Sequence, residues 1–569
     1  MKKVLFYLFI FGFFLTGCIT EIPISEEVVT SPQPTELSNN SFQESQSGNS
    51  FLNPNQTHSD PNQLNNPHPI QGFSPNDSGI NPPGEIHPSD GAQPNQPPLP
   101  SQNEIIYDEN HPRHKYMGGE LVQYSAQSGD TVKALAARFN TTEKEIFDSN
   151  PNIPRDVTTL PQGMPMNIPI YFRANWGTSF EMIPDSLFVY SPESIGFSAR
   201  AYTDRSKGWF KYFTIYTADK NRRGGEIVDY IAENYSINPR LLLAIIEFQT
   251  HALSSPYQPD GINQNYVLGF RRRNYESLSA QLNQLANFLN NAYYRYREGD
   301  LIGFDLQDGS KYVIDPWQNA STAALQYYFS TILSADQFRF TVGPDGFSKL
   351  YKQLFGDFPN QLQIHANIPG SLQQPKFQLP FEEDRNWSFT GGPHAAWGEN
   401  EPLAAVDFAP PSSHSGCVYS GEWVLTPAEG TIVRTDKGLA ILDLDDDHDE
   451  RTGWDILFLH LLTPSIPPVG THLKAGDRIG HPSCDGGTAT GTHVHLARKF
   501  NGEWIDAGGS VPLNFDGWTV QNGSEPYLGT LKRYSSTVIA CTCSDYKSQI
   551  HVGPPVVPTP TATMNPKSK

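Results

Sequence analysis

Cysteine is scarce in this chain: five in 569 residues, and none between Cys18 and Cys417. Disulfides therefore cannot hold the first two-thirds together, and any folded part there must rest on an apolar core. Positive charge is also short, with 40 Lys and Arg against 60 Asp and Glu and a net charge of −20. That balance excludes nucleic acid as a partner, because the phosphate backbone calls for a basic surface. It also means that attachment to an anionic wall must use specific contacts. Beyond the N-terminal run Val4–Leu15, no segment reaches the roughly 18–20 apolar residues of a membrane-spanning helix. Apolar side chains are sparse from 21 to 105, which is dominated by Asn, Pro, Ser, Gln and Gly and lowers the overall hydrophobic fraction to 37%. Such a stretch cannot offset its own chain entropy and is expected to be a solvated tether. The length itself implies several domains.

What is present begins with an address. Lys2 and Lys3 form a positive n-region ahead of an apolar run too short to span a bilayer. The run closes on Leu15-Thr16-Gly17-Cys18, which resembles the lipobox of bacterial lipoproteins. The resemblance implies cleavage before Cys18, a diacylglycerol on its sulfur, and an extracytoplasmic, lipid-anchored protein facing the cell wall. Residues 1–18 are then the signal and lipobox, and 19–116 a disordered linker. The other four cysteines, Cys417, Cys484, Cys541 and Cys543, lie in the last third and lack the C-x-x-C pairing of structural zinc modules. An even remainder in an exported domain implies disulfides, with three connectivities open. Neighbours such as Cys541 and Cys543 rarely bond to each other, so at least one long-range bridge is expected.

Residues 117–172 form a compact, well-punctuated stretch. Leu121–Tyr124 reads as a strand, and Ser128-Gly129-Asp130-Thr131 as a turn capping a helix with Val132, Leu135, Ala136 and Phe139 at helical spacing. Thr142-x-x-Glu145 is a capping-box pattern opening a second helix, and Met166–Ile170 reads as a closing strand. This small βααβ string, with Gly129-Asp130-Thr131, Asn150 and Ile168-Pro169, resembles a LysM domain. The resemblance implies binding of N-acetylglucosamine-containing glycan, in peptidoglycan or chitin.

Residues 173–365 read as an α-helical middle domain. Asn238 caps a helix with Pro239 at its first position, and Leu241–Ile246 make that helix apolar. Leu278, Leu282, Leu285, Leu289 and Tyr293 line one side of a longer helix. The run ending in Glu247 faintly resembles the catalytic helix of lysozyme-like lytic transglycosylases, where a Glu acts as general acid. Phe248 stands where that family has Ser, and no Gly-x-x-Gln follows. A buried helix ending in a surface glutamate is the plainer reading.

The chemistry concentrates in 381–544, ahead of a disordered tail at 545–569. Short, turn-rich strands predict an all-β domain: Trp423–Leu425, Gly430–Thr435, Leu439–Leu444, Trp454–Leu461 and His493–Phe500. Gly391-Gly392-Pro393-His394 offers an imidazole in a glycine-rich loop, and Val406-Asp407-Phe408 a carboxylate inside an apolar strand. A buried Asp requires a cation or a hydrogen-bond network. In Thr490-Gly491-Thr492-His493-Val494-His495, residues two apart on a strand project to one face. His460 ends an apolar run. Together these resemble the lysostaphin/LytM-type zinc peptidoglycan endopeptidases. The resemblance implies that His394, Asp407 and His495 bind Zn²⁺, with His460 and His493 as catalytic groups beside it. That family spaces its first pair His-x-x-x-Asp, whereas residues 395–406 intervene here, as a loop insertion between two strands would do.

In the acidic run Asp443–Glu450, Asp445, Asp447 and Asp449 have the alternating spacing of a calcium loop. The Gly and distal Glu of an EF-hand are missing, so a solvated hairpin tip is expected. The reading as a whole is a cell-wall lipoprotein acting as a zinc metalloendopeptidase on peptidoglycan, with the LysM-like module on the glycan. Two alternatives stand beside it: a non-catalytic peptidoglycan-binding scaffold or hydrolase activator, and a glycan-cleaving enzyme centred on Glu247.

Overall fold

A computed structural model describes residues 120–171, 173–261, 265–356, 367–543 and 545–553. Cys18, the signal and the linker lie outside the described residues. The first described module pairs strand Glu120–Ser125 antiparallel with Pro165–Ile170, with helices Val132–Arg138 and Glu143–Ser149 between them. Both helices start on threonine caps, and Thr142 and Glu145 form the reciprocal capping box. Buried Asp130 ties the turn to the helix: it accepts from Tyr124 Oη at 2.6 Å and pairs with the buried Arg138.

In the middle region, helix Pro239–Thr250 opens on Asn238, whose side chain accepts from the Arg240 amide. It is buried along Leu241–Ile246 against helices Gly224–Tyr235, Leu278–Glu298, Ala320–Ile332 and Phe347–Phe355. The C-terminal region is built on a nine-stranded sheet. At its centre, Leu439–Asp443, Trp454–Leu459, Val494–Phe500, Ala405–Ala409 and Asn386–His394 run in that spatial order, each antiparallel to the next.

These strands are apolar on both faces, and that decides the architecture. Ala440, Leu442, Ile456, Phe458 and Leu496 face a core made with Phe389, Phe408 and Phe515. Ile441, Leu457, Ala497 and Trp504 join the same core as Ile245, Tyr293 and the other helical residues. Helices and sheet thus share one hydrophobic core, where the sequence suggested two separate domains. Polar contacts seal the contact. Trp504 donates its amide to Tyr294 Oη at 3.0 Å, and buried Arg297 pairs with Glu503 at 3.1 Å and Asp185 at 3.1 Å.

Several expectations need correction. Gly391–His394 is not a loop but the end of strand Asn386–His394, whose pairing shifts register twice. Residues 549–551, assigned to a disordered tail, form a strand pairing Gln549 with Ser388. The long-range bridge is Cys417–Cys484, but Cys541 and Cys543 also bond to each other. The acidic tip is only partly solvated, since Glu450 is buried between Arg434 and Lys499.

Candidate metal centre

Strand register brings three of the five predicted residues together. His495 lies directly opposite Asp407 on the neighbouring strand, so both side chains leave the same face. His394 arrives from the next strand over, re-aimed by the two register shifts. Gly391 makes room for the carboxylate: a Cβ there would lie 2.5 Å from Asp407 Oδ2. His394 Nε2, Asp407 Oδ1 and His495 Nδ1 are 3.0–3.3 Å from one another. All three residues are buried.

The outer hydrogen bonds fix which atoms face inward. His394 Nδ1 lies 2.8 Å from the Gly392 carbonyl and His495 Nε2 lies 3.0 Å from the Ala396 carbonyl. A carbonyl accepts only, so each of these nitrogens carries the proton. The opposite nitrogens then present lone pairs to each other across 3.0 Å, and Asp407 Oδ1 has no hydrogen-bond donor. Three acceptors converging without a proton among them suit a cation. When a proton occupies the place of the cation, the balance is the same: burial opposes ionisation of Asp407, but a protonated His394 imidazole, with His495 beside it, holds its carboxyl well below the usual range. Burial also opposes protonation of His394, and the Asp407 carboxylate overrides it and raises that pKa. At His495 burial prevails and lowers it.

His460 and His493 flank this triad. His460 sits just past strand Trp454–Leu459 with a left-handed φ of 63°, uncommon for a non-glycine residue. The turn breaks the strand's alternation and sets the His460 ring 4.5 Å from His493 and 6.2 Å from His495, centre to centre. His460 Nδ1 is held by the Asp485 carbonyl at 2.8 Å and His493 Nδ1 by the Gly491 carbonyl at 2.7 Å. Each ring therefore keeps a basic Nε2, and that of His493 is 3.8 Å from Asp407 Oδ1. Burial, followed by the neighbouring imidazoles, lowers His460 to about 4.

One segment positions both flanking rings. Ser483 donates its amide to the His460 carbonyl and accepts from the His493 amide. Cys484, next in the chain, is bridged to Cys417, and Thr492 exchanges hydrogen bonds with Val418. The disulfide thus joins the two loops bordering the site. The insertion between His394 and Asp407 also finds its place. Ala396 holds His495, while Glu399 donates its amide to Asn287 in the helical layer.

Sequence reasoning missed Tyr527, whose ring stacks on His394 at 4.2 Å. No local pattern marks it. The orienting carbonyls of Gly392, Ala396, Asp485 and Gly491 were equally invisible, because a carbonyl belongs to every residue. Glu247 stands apart from the site and was misjudged as surface. It is buried, and its carboxylate accepts from the Leu253 amide at 2.6 Å and Ser254 Oγ at 2.5 Å.

Residues 124–169 match the LysM domain family, and residues 181–367 match the family described as LasA, N-terminal domain. The chain is 23% identical over 367 residues to Protease LasA of Pseudomonas aeruginosa, covering 62% of this chain and 80% of that protein. It is 26% identical over 141 residues to the beta-lytic metalloendopeptidase of Achromobacter lyticus, covering 23% of this chain and 35% of that one. Among solved structures it resembles the M23 metalloprotease pseudoalterin at 20% identity, with a TM-score of 0.26, over 29% of this chain and 96% of that one. The curated relatives support a metallopeptidase, and the family match at residues 124–169 adds a LysM domain.

Proposed function

We propose that this chain is a cell-wall lipoprotein whose C-terminal sheet carries a zinc metalloendopeptidase site acting on peptidoglycan peptides. The observation that carries the reading is the convergence of two imidazole lone pairs and the undonated Asp407 Oδ1 within 3.3 Å. Two nitrogens and one carboxylate oxygen are a donor set that zinc takes in catalytic sites, with a position left over for chemistry. When bound, zinc supplies Lewis acidity for attack of water on a peptide carbonyl. His394, Asp407 and His495 hold it, and the carbonyls of Gly392 and Ala396 orient the two imidazoles.

The remaining steps belong to the chain. His460, neutral at physiological pH and fixed through Asp485, offers Nε2 to take or return a proton. His493, fixed through Gly491, offers a second Nε2 for the developing oxyanion or the leaving amine. The LysM domain adds affinity for the glycan, and Cys18 adds the membrane anchor, which Cys18→Ala tests by loss of membrane fractionation and lipid labelling. Digestion of purified sacculi followed by mass analysis tests the catalytic reading. New amino termini are expected. Reducing or anhydro sugars would move the activity to the glycan, and intact sacculi would leave a binding scaffold.

A further inference from the structure

A second group of carboxylates gathers at the other end of strand Trp454–Leu459, five residues from His460 and so about 16 Å away along an extended chain. Asp443, at the end of Leu439–Asp443, pairs in register with Asp455 on the adjacent strand, so the two side chains leave the same face as neighbours. Potential ligand oxygens of Asp443, Asp445 and Asp447 all lie within 4.8 Å of one another. Gly453 leaves space for this, because a Cβ there would lie 2.0 Å from Asp445 Oδ2.

Acidic side chains often cluster on surfaces without consequence, but Asp455 is not on a surface. It is fully buried, and neither of its carboxylate oxygens has a hydrogen-bond partner. Its other cross-strand neighbour, Lys499, turns its ammonium to Glu450 at 2.7 Å. Arg434 is committed to Glu450 as well, and Arg451 to Asp449. Among the described residues, no cationic side chain reaches ion-pair distance of Asp443, Asp445, Asp447 or Asp455. An unpartnered carboxylate buried beside Asp443 at the edge of this cluster is costly to ionise unless a cation joins them.

We propose that Asp443, Asp445, Asp447 and Asp455 form a calcium site. The donors are all oxygens, which favours a hard cation. Two of them come from an exposed loop, and such a loop adapts to the large, irregular shell of Ca²⁺ more readily than to the strict octahedron of Mg²⁺. The adjoining hairpin also touches the helical layer. Arg451 donates to the Ser194 carbonyl at 3.3 Å, and Arg434 to Asn234 at 2.9 Å. Calcium here would brace the contact between sheet and helices, apart from the histidine site and its chemistry.

Equilibrium dialysis of the zinc-loaded full chain, stripped of calcium and returned to CaCl₂, tests this directly. One equivalent of Ca²⁺ should bind with a Kd of about 10⁻⁴–10⁻³ M or tighter, the range of extracellular modules, and Tm should rise. MgCl₂ at equal concentration should do markedly less. Asp445→Asn and Asp455→Asn should each weaken calcium binding about tenfold or more at unchanged zinc content. Without calcium, Asp455→Asn should melt no lower than the parent, because the buried carboxyl it replaces has no hydrogen-bond partner to lose. Should that variant not fold, the exposed Asp447→Asn carries the same test. No binding at about 10 mM calcium, above the range of such modules, would overturn the proposal. So would parental affinity in Asp445→Asn and Asp447→Asn.

Discussion

Glu247 and Asp407 are both buried carboxylates within apolar elements, one in the helical layer and one in the sheet. Their surroundings differ in what they leave undone. Both oxygens of Glu247 are occupied by neutral donors six and seven residues further along the same chain. Asp407 Oδ1 receives no donor and instead faces three imidazoles drawn from two other strand segments. A carboxylate satisfied by local donors closes a helix. One left unsatisfied among distant nitrogens has an open valence to offer a metal. Burial alone does not separate these roles; the missing proton does.

The hardest blow to this contrast is Asp407→Ala. With one of three protein ligands gone, zinc content and activity should fall together, the activity by more than the roughly 10⁴-fold that one acid–base group supplies. His394→Ala and His495→Ala should behave alike. Metal analysis beside a cross-linked peptide assay reads both quantities, and full activity in His495→Ala would end the peptidase reading.

His460→Ala and His493→Ala sharpen the same division from the other side. Both rings are anchored through Nδ1 to carbonyls, and both stand outside the close triad. Their variants should keep near-stoichiometric zinc while losing roughly 10²–10⁴-fold in rate. Zinc lost from His460→Ala as readily as from His394→Ala would show that the two groups are misassigned.

Which of this was legible beforehand follows from distance along the chain. His493 and His495 were readable because strand alternation is a two-residue rule. Asn238 with Pro239, and Thr142 with Glu145, were readable because helix caps act within one turn. Glu247 was misread because Leu253 donates a backbone amide, which no residue type announces. The loop before His394 was misread because glycines suggested a turn, whereas Gly391 serves a strand that passes close to Asp407. The shared core was missed because apolar residues on both faces of Leu439–Asp443 do not say what covers the second face. The Cys541–Cys543 bond defied a rule of thumb about neighbours.

A third buried carboxylate shows what full charge compensation does. Burial raises the pKa of Glu450, yet Arg434 and Lys499 together hold it at about 2 against an ordinary 4.5. A group whose folded pKa is depressed stabilises the fold above its unfolded pKa and loses that contribution as pH falls through the folded one. Stability should therefore decline between about pH 4.5 and pH 2, by on the order of 3 kcal/mol from this group. Glu450→Gln should flatten that part of the acid-denaturation curve while lowering stability at neutral pH. An acid limb identical to the parent's would mean that Glu450 is not held by its two cations.

The smallest effect is expected at Glu247, and it tests the comparison from the side of the helices. Glu247→Gln keeps an acceptor oxygen for the Leu253 amide or the Ser254 hydroxyl but not for both in the same geometry, since the amide nitrogen is a donor. The cost should be about 1–3 kcal/mol, the range for a buried polar group left unsatisfied or a charge-assisted bond lost. Glu247→Ala should cost at least as much, because it leaves both donors unmet. Neither change touches the triad, so zinc content and the rate of peptide cleavage per folded molecule should match the parent. Thermal unfolding read beside both cleavage assays, on peptide and on glycan strands, separates the outcomes. Loss of glycan cleavage in a stably folded Glu247→Gln would reverse the contrast, making Glu247 a working acid and the helical layer a second catalytic region.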